Sequence, residues 1–193
     1  MTIEQHPLEP FLPENAHVLF LGSFPPPRMR WSMEFFYPNW INDFWRIMGV
    51  VHFGDKVFFE VEDIKRFDKE RIMAFCREKG IALFDTARKV RRLKDNADDN
   101  FLEIVEGTDV FELLEQMPEC RTIVTTGGKA SEELQAYFAK KGIDVKIPKV
   151  GEYCPLQLPQ EGREIKWWRM PSTSRAYPMK LEKKAEYYRR LFE

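Results

Sequence analysis

Three polar or glycine-containing segments follow apolar runs of this sequence, and their side chains are suited to binding a polar ligand. They carry hydroxyl, carboxylate and guanidinium groups, which between them donate and accept hydrogen bonds. If the apolar runs are strands of one parallel sheet, these segments meet in a cleft beyond the carboxyl ends of the strands. The segments are residues 22–30, 85–92 and 171–177.

The elements that would position these segments are predicted by hydrophobic periodicity. Strands and helices alternate along the chain, which indicates a parallel α/β layer. Strands are predicted at 17–22, 81–84, 121–125, 145–147 and 165–170. Helices are predicted at 39–50, 68–79, within 101–117, from 128 to about 141 and after Pro178, with a charged loop at 88–99.

Composition limits the class of protein. The 193 residues are 44% hydrophobic and 14% aromatic, which fits a single domain spanning residues 1–193. The chain has 30 basic and 31 acidic residues, so binding to nucleic acid would require a local basic patch rather than a basic net charge.

The cysteines and histidines do not form a recognisable metal motif. No CxxC pair occurs, so neither a zinc nor an iron–sulfur site is predicted. The small, odd number of cysteines, with no signal peptide and no long apolar run, predicts a soluble cytoplasmic protein without a membrane segment. The residues concerned are Cys76, Cys120, Cys154, His6, His17 and His52.

Four blocks in a fixed order resemble the motifs of the uracil-DNA glycosylase superfamily, especially its mismatch-specific and hypoxanthine-DNA glycosylase branches. The block PSTSxA before the last helix is the most particular of them. The blocks are LGSFP at 21–25 with FYP at 36–38 and NDFW at 42–45, GIALFD at 80–85, TGGKA at 126–130 and MPSTSRA at 170–176.

This resemblance implies an α/β three-layer sandwich with a central, mostly parallel four-stranded sheet and no cofactor. It also implies a monomer that acts on DNA containing a damaged or mismatched base. The activity would be that of a monofunctional N-glycosylase, which hydrolyses the bond between a deaminated base, uracil or hypoxanthine, and deoxyribose. Such an enzyme must also extract the nucleotide from the duplex.

The resemblance assigns catalytic roles to Asn42 and Ser172. Asn42 matches the asparagine of the family's Asn-x-Phe-Trp element, and an amide can hold water or donate to a base carbonyl. Asn42 is equally compatible with a helix cap, and Asn39 is a nearby competitor for either role. Ser172 can donate its hydroxyl to a base oxygen or a phosphate, although its loop also fits a simple turn cap.

The base-binding residues implied by the resemblance are Phe24, Tyr37, Asp85 and Ser23. Phe24 is the preferred stacking residue, with core packing as the alternative. Asp85 stands where uracil-specific relatives place an asparagine. An ionised carboxylate only accepts hydrogen bonds, so Asp85 would prefer a ring N–H or an exocyclic amine of the base. Asp85 is equally compatible with a cap or an ion pair at the end of a strand. Many relatives carry a water-orienting Asp or Asn at the position of Phe24, so this chain departs from the family pattern there.

Contact with the DNA backbone is assigned to Ser174, Arg175, Tyr177 and Arg88. Arg88 opens a basic segment that would attract phosphates, although such segments are often only solvated surface. Its other basic residues are Lys89, Arg91, Arg92 and Lys94, and the acidic residues Asp95, Asp98 and Asp99 follow.

Two other functions remain open at this point. Phe24 and the lack of a histidine in the 171–177 loop favour a weak or inactive member that binds damaged DNA. The neutral net charge permits a small-molecule-binding α/β enzyme unrelated to DNA.

Overall fold

The computed structural model describes residues 2–94, 98–159 and 162–193. The strands are β1 (Ile3–Gln5), β2 (Val18–Gly22), β3 (Ile81–Asp85), β4 (Ala87–Arg92), β5 (Leu102–Gly107), β6 (Thr122–Thr126), β7 (Glu152–Gln157) and β8 (Glu164–Met170). The α-helices are α1 (Phe44–Phe53), α2 (Lys69–Glu78), α3 (Val110–Glu115), α4 (Gly128–Lys140) and α5 (Leu181–Arg189).

The central sheet has five strands in the order β3-β2-β6-β8-β7. The first four are parallel, as predicted, and β7 pairs antiparallel with β8. The predicted four-stranded sheet is therefore one strand too small, and the strand predicted at 145–147 is wrong. Strand β7 lacks an apolar run and contains Pro155, which is tolerated because β7 lies at the sheet edge.

Helices cover both faces of this sheet. Leu19 and Phe20 are adjacent residues of β2 and therefore face opposite sides. On the side of Leu19, Trp167 of β8 contacts Phe138 of α4, with ring centroids 5.6 Å apart. On the other side, Phe20 contacts Phe44 of α1 at 5.3 Å, and α5 packs against α1. The result is a three-layer α/β/α arrangement.

Strands β1, β4 and β5 form a second, antiparallel sheet in the order β1-β4-β5. Residues 88–92 of the charged loop predicted at 88–99 thus belong to strand β4, and only Val110–Glu115 of the region 101–117 is an α-helix. Ala87 and Val90 of β4 are buried, while the basic residues between them remain nearer the surface. Strand β4 was not predicted because its charged residues suggested a solvated loop, whereas their ion-pair partners lie on neighbouring strands. The pairs are Lys89–Glu106, Arg91–Glu103 and Arg92–Glu4.

Helix α1 begins at Phe44, five residues after the predicted start at residue 39. Residues 39–43 form turns instead, and Asn39 is bridged to Trp31. Helix α2 matches its prediction closely, since the Asp68 side chain accepts a hydrogen bond from the amide of Arg71 and caps it. No helix in the described ranges combines the length and the apolar character that crossing a bilayer requires.

Candidate active site

Residues from all three predicted segments meet in one cleft of about 690 Å³ at the carboxyl ends of β2, β3, β6 and β8, although Asp85 is the only residue of 85–92 that lines it. The walls of the cleft come from the turn after β2, the residues before α1, the ends of β3 and β6, the short segment 98–100 and the loop after β8. Nine of the ten predicted site residues line it, namely Ser23, Phe24, Tyr37, Asn42, Asp85, Ser172, Ser174, Arg175 and Tyr177.

Arg88 is the predicted residue that does not line this cleft. It lies on β4, and its guanidinium carbon is 5.2 Å from the centre of the Phe84 ring. The structure therefore puts Arg88 beside the cleft, on the small antiparallel sheet.

Asp85 is held at the floor of the cleft by a histidine that the sequence pattern did not associate with it. Gly22 and Asp85 are in register on adjacent strands, and a Cβ on residue 22 would lie 2.5 Å from Asp85 Oδ1. The other oxygen, Oδ2, lies 2.8 Å from His6 Nε2. The side chains of His6 and Asp85 are only 3% and 10% exposed, so the orientation of the carboxylate is fixed.

Replacing His6 with alanine is expected to lower the free energy of unfolding by about 1–3 kcal/mol, because it leaves a buried carboxylate oxygen without its protein partner. The comparison variant is His17→Ala, which removes an exposed imidazole. Both are measured by chemical denaturation. Equal stability of the two variants would show that the His6–Asp85 contact contributes nothing.

Tyr37 forms a rigid wall of the cleft. Its backbone φ is 51°, in the left-handed region that non-glycine residues seldom adopt. Its ring stacks on Phe44 with centroids 3.9 Å apart, and its hydroxyl is hydrogen-bonded to Thr126 at 2.9 Å. Burial, followed by the charge of Asp85, raises the pKa of Tyr37 well above its usual value, so the phenol stays neutral.

Asn42 contacts the start of α1 through its side chain, although the N-cap position itself is Asp43, whose side chain makes no capping hydrogen bond. The Oδ1 of Asn42 accepts a hydrogen bond from the amide of Phe44 at 2.9 Å. Its backbone forms a bridge to Ser174, which joins the two walls of the cleft. The Nδ2 group donates to none of the described residues and is the part of Asn42 left for a ligand. Asn39 makes a similar contact, accepting from the amide of Ile41 at 3.2 Å.

Asp43 attaches the loop after β8 to the start of α1. Its amide donates to Thr173 O at 2.9 Å, and its Oδ1 accepts from Arg175 Nε at 3.0 Å. Lys184, fully buried, lies 4.0 Å from Asp43 Oδ2 and donates to Ser174 O at 2.8 Å. Burial lowers the pKa of Lys184, and the nearby Asp43 charge acts against this. The only sequence signal for Asp43 was its place within the NDFW block.

The hydroxyls of the 172–174 loop cap turns as well as line the cleft. Ser172 Oγ accepts from the amide of Ser174 at 3.2 Å, and Ser174 Oγ accepts from the amide of Ala176 at 3.2 Å. Because each hydroxyl oxygen acts as an acceptor in these contacts, its proton remains available to a ligand.

Phe24 is mainly a packing residue. It is only 8% exposed and belongs to a small apolar cluster with Ala87, Val90 and Leu102. Its ring also meets the edge of His6 at 5.3 Å. Most of the Phe24 ring is therefore packed in this cluster, as the core-packing alternative predicted. Only a small part of the ring is exposed on the cleft wall.

Asp99 is a cleft residue to which sequence analysis assigned no role in the site. Ser23 Oγ donates to Asp99 Oδ1 at 2.8 Å. Burial raises the pKa of Asp99, and the hydrogen bond from Ser23 partly opposes this rise. Asp98 also lines the cleft, whereas Asp95 lies outside the described residues. Asp99 was missed because the strands that carry it to the cleft were read as a loop and a helix.

No protein-family model matches this sequence, and no curated protein matches it either. Among solved structures, the chain is similar to a protein from Methanosarcina acetivorans described as a "putative Uracil DNA glycosylase". The two chains are 22% identical, the match covers 100% of each, and the TM-score is 0.64. At this identity the similarity establishes that the two chains share a fold.

Proposed function

We propose that this chain, as a single monomeric domain, is a monofunctional DNA glycosylase. It would hydrolyse the bond between a deaminated base, uracil or hypoxanthine, and deoxyribose. The observation that supports this most is the convergence of the four sequence blocks on one cleft of about 690 Å³. Small-molecule pockets are typically about 300–1,000 Å³, so an everted nucleotide fits this volume. The shared fold with the Methanosarcina protein described above agrees with the proposal.

In this proposal Asp85 distinguishes uracil from cytosine and hypoxanthine from adenine. Uracil and hypoxanthine carry a ring N–H where cytosine and adenine carry an unprotonated ring nitrogen. An ionised carboxylate only accepts hydrogen bonds, so it favours the ring N–H and opposes the lone pair of the unmodified base. His6 holds Oδ2, and this leaves Oδ1 to face the base. Tyr37 and the exposed edge of Phe24 would form the walls around it.

Cleavage of the glycosidic bond requires stabilisation of the departing base and a positioned water. The free Nδ2 of Asn42 would donate to the base carbonyl, and the hydroxyl of Ser172 would donate to the same base. Ser174, Arg175 and Tyr177, on the loop fixed by Asp43, would hold the flanking phosphates. Arg88 would contact the DNA backbone outside the cleft.

The proposal is tested with single- and double-stranded oligonucleotides that contain uracil or hypoxanthine at one position. We expect alkali-sensitive breaks at the modified base after incubation with the protein, and none in the matched unmodified strands. The free base should be recovered in equal amount. No release from any substrate, even with enzyme in excess, would contradict the proposed activity.

A damaged-DNA-binding protein of low or no activity is the second candidate, and the burial of Phe24 favours it. An apolar ring at this position cannot orient water, and many relatives carry a polar residue there. This candidate predicts salt-dependent binding to the modified duplex without base release. The same oligonucleotides, analysed for binding and for release, separate the two functions.

A further inference from the structure

The turn after β2 is hydrogen-bonded to the carboxylate of Asp99, which comes from a distant part of the chain and lines the same cleft. Phe24 is turned into the apolar cluster, so it offers no polar group to a water molecule. The preceding residue, Ser23, donates its hydroxyl to Asp99 Oδ1 at 2.8 Å. A carboxylate thus lies beside the position where a water-orienting side chain is missing.

The packing of Phe24 helps to hold Asp99 in place. Asp99 begins a short 3-10 helix, Asp99–Phe101, which Asp98 caps by accepting from the amide of Asn100 at 3.0 Å. The next residue, Leu102, is buried in the same apolar cluster as Phe24. Phe24 therefore packs against Leu102, which directly follows the short helix that carries the Asp99 carboxylate.

We propose that Asp99 is the general base that activates water in the reaction, an inference that rests on the proposed glycosylase function. Its Oδ1 accepts the Ser23 hydroxyl, and its Oδ2 has no partner among the described residues. The water oxygen forms a bond to C1′ of the sugar as the C1′–N bond breaks, and the electron pair of that bond leaves with the base. The proton of the water passes to Asp99 Oδ2 and later to solvent or the departed base.

Burial and four neighbouring groups shift the pKa of Asp99. After burial, the largest influence is the Ser23 hydrogen bond, which lowers its pKa. The charges of Asp85 and Asp98 raise the pKa, and Lys129 lowers it. The net shift is upward, and a carboxylate with a raised pKa is a stronger base when it is ionised. Because only the ionised form accepts a proton, base release should increase with pH through the pKa of Asp99 and then level off.

The test is the pH dependence of single-turnover base release by the full chain. We expect Asp99→Asn to lower the plateau rate by about 100- to 10,000-fold and to remove the rise at acidic pH. Binding to a duplex that contains a tetrahydrofuran abasic analogue should be unchanged. Ser23→Ala should move the rise to higher pH and Asp98→Asn should move it to lower pH, since these side chains shift the pKa in opposite directions.

The possible outcomes distinguish a failure of the Asp99 role from a failure of the proposed glycosylase activity. If the wild-type protein releases no base from any lesion, the proposed function fails and the role of Asp99 fails with it. If the wild-type protein is active but Asp99→Asn keeps its rate and its acidic limb, only the role of Asp99 is overturned. If Asp99→Asn does not fold, the two neighbouring variants decide, and an unmoved acidic limb in both overturns the proposal.

Discussion

Replacing Asn42 with alanine is expected to lower the rate of base release at least about 100-fold, because one preorganised donor to a developing negative charge typically contributes about that much. Its Oδ1 already accepts from the amide of Phe44, so the chemistry depends on the free Nδ2. Single-turnover release from the uracil and hypoxanthine oligonucleotides measures the effect.

Two matched variants separate this chemistry from the contact that Asn42 makes with the amide of Phe44 at the start of α1. Asn39→Ala removes a similar side-chain contact to the backbone, at 3.2 Å to the amide of Ile41, from a residue on the same wall of the cleft. It should retain most of the activity. Asn42→Asp keeps the capping oxygen but loses the amide donor, so it should be as inactive as Asn42→Ala while remaining as stable as the wild type. Full activity of Asn42→Asp would contradict a donor role for Nδ2.

Replacing Asp43 with alanine is expected to lower the free energy of unfolding by about 3 kcal/mol, because it leaves the buried Lys184 without a carboxylate and removes one of the two carboxylates near Arg46. Asp43 lies within 4.0 Å of Lys184 and 3.6 Å of Arg46, whose side chains are 1% and 7% exposed. Its pair with Arg175 adds less, since Arg175 is half exposed and solvent weakens that attraction. Arg46 keeps its contact with Glu60 at 2.6 Å, so Lys184 accounts for much of the loss.

Chemical denaturation measures this loss, and Glu186→Ala serves as the control. Glu186 pairs with Lys183 on the surface, where both side chains are 56% exposed, and its removal should leave stability unchanged. Adding Lys184→Met to Asp43→Ala should restore part of the lost stability by removing the unpaired charge. Without that recovery, the buried charge of Lys184 would not be the cause.

Asp43→Ala should also loosen the loop that carries Ser172 and Ser174. The backbone bond from the Asp43 amide to Thr173 survives the substitution, but the ion pair with Arg175 does not. We expect weaker binding of modified DNA together with slower release of the base.

Much of the central part of the fold was predictable from sequence. Strands β2 and β3 are continuous apolar runs that end in a glycine or a polar residue, β6 is a short apolar pair between threonines, and the first half of β8 alternates exposed and buried residues. Helix α2 combines an apolar stripe with a capping aspartate. The carboxyl ends of parallel strands meet at one edge, so Asp85 and Ser172 were correctly expected to share a cleft.

The second sheet, the edge strand β7 and the polar contacts that complete the cleft were decided by tertiary structure alone. Strands β1, β4 and β5 carry charges whose partners lie on neighbouring strands, and such pairing leaves no local periodicity. His6 and Asp85 are 79 residues apart, and Ser23 and Asp99 are 76 apart. A hydrogen bond between such distant residues depends on strand pairing and core packing across the whole molecule, and for that reason no local pattern of the sequence predicts it.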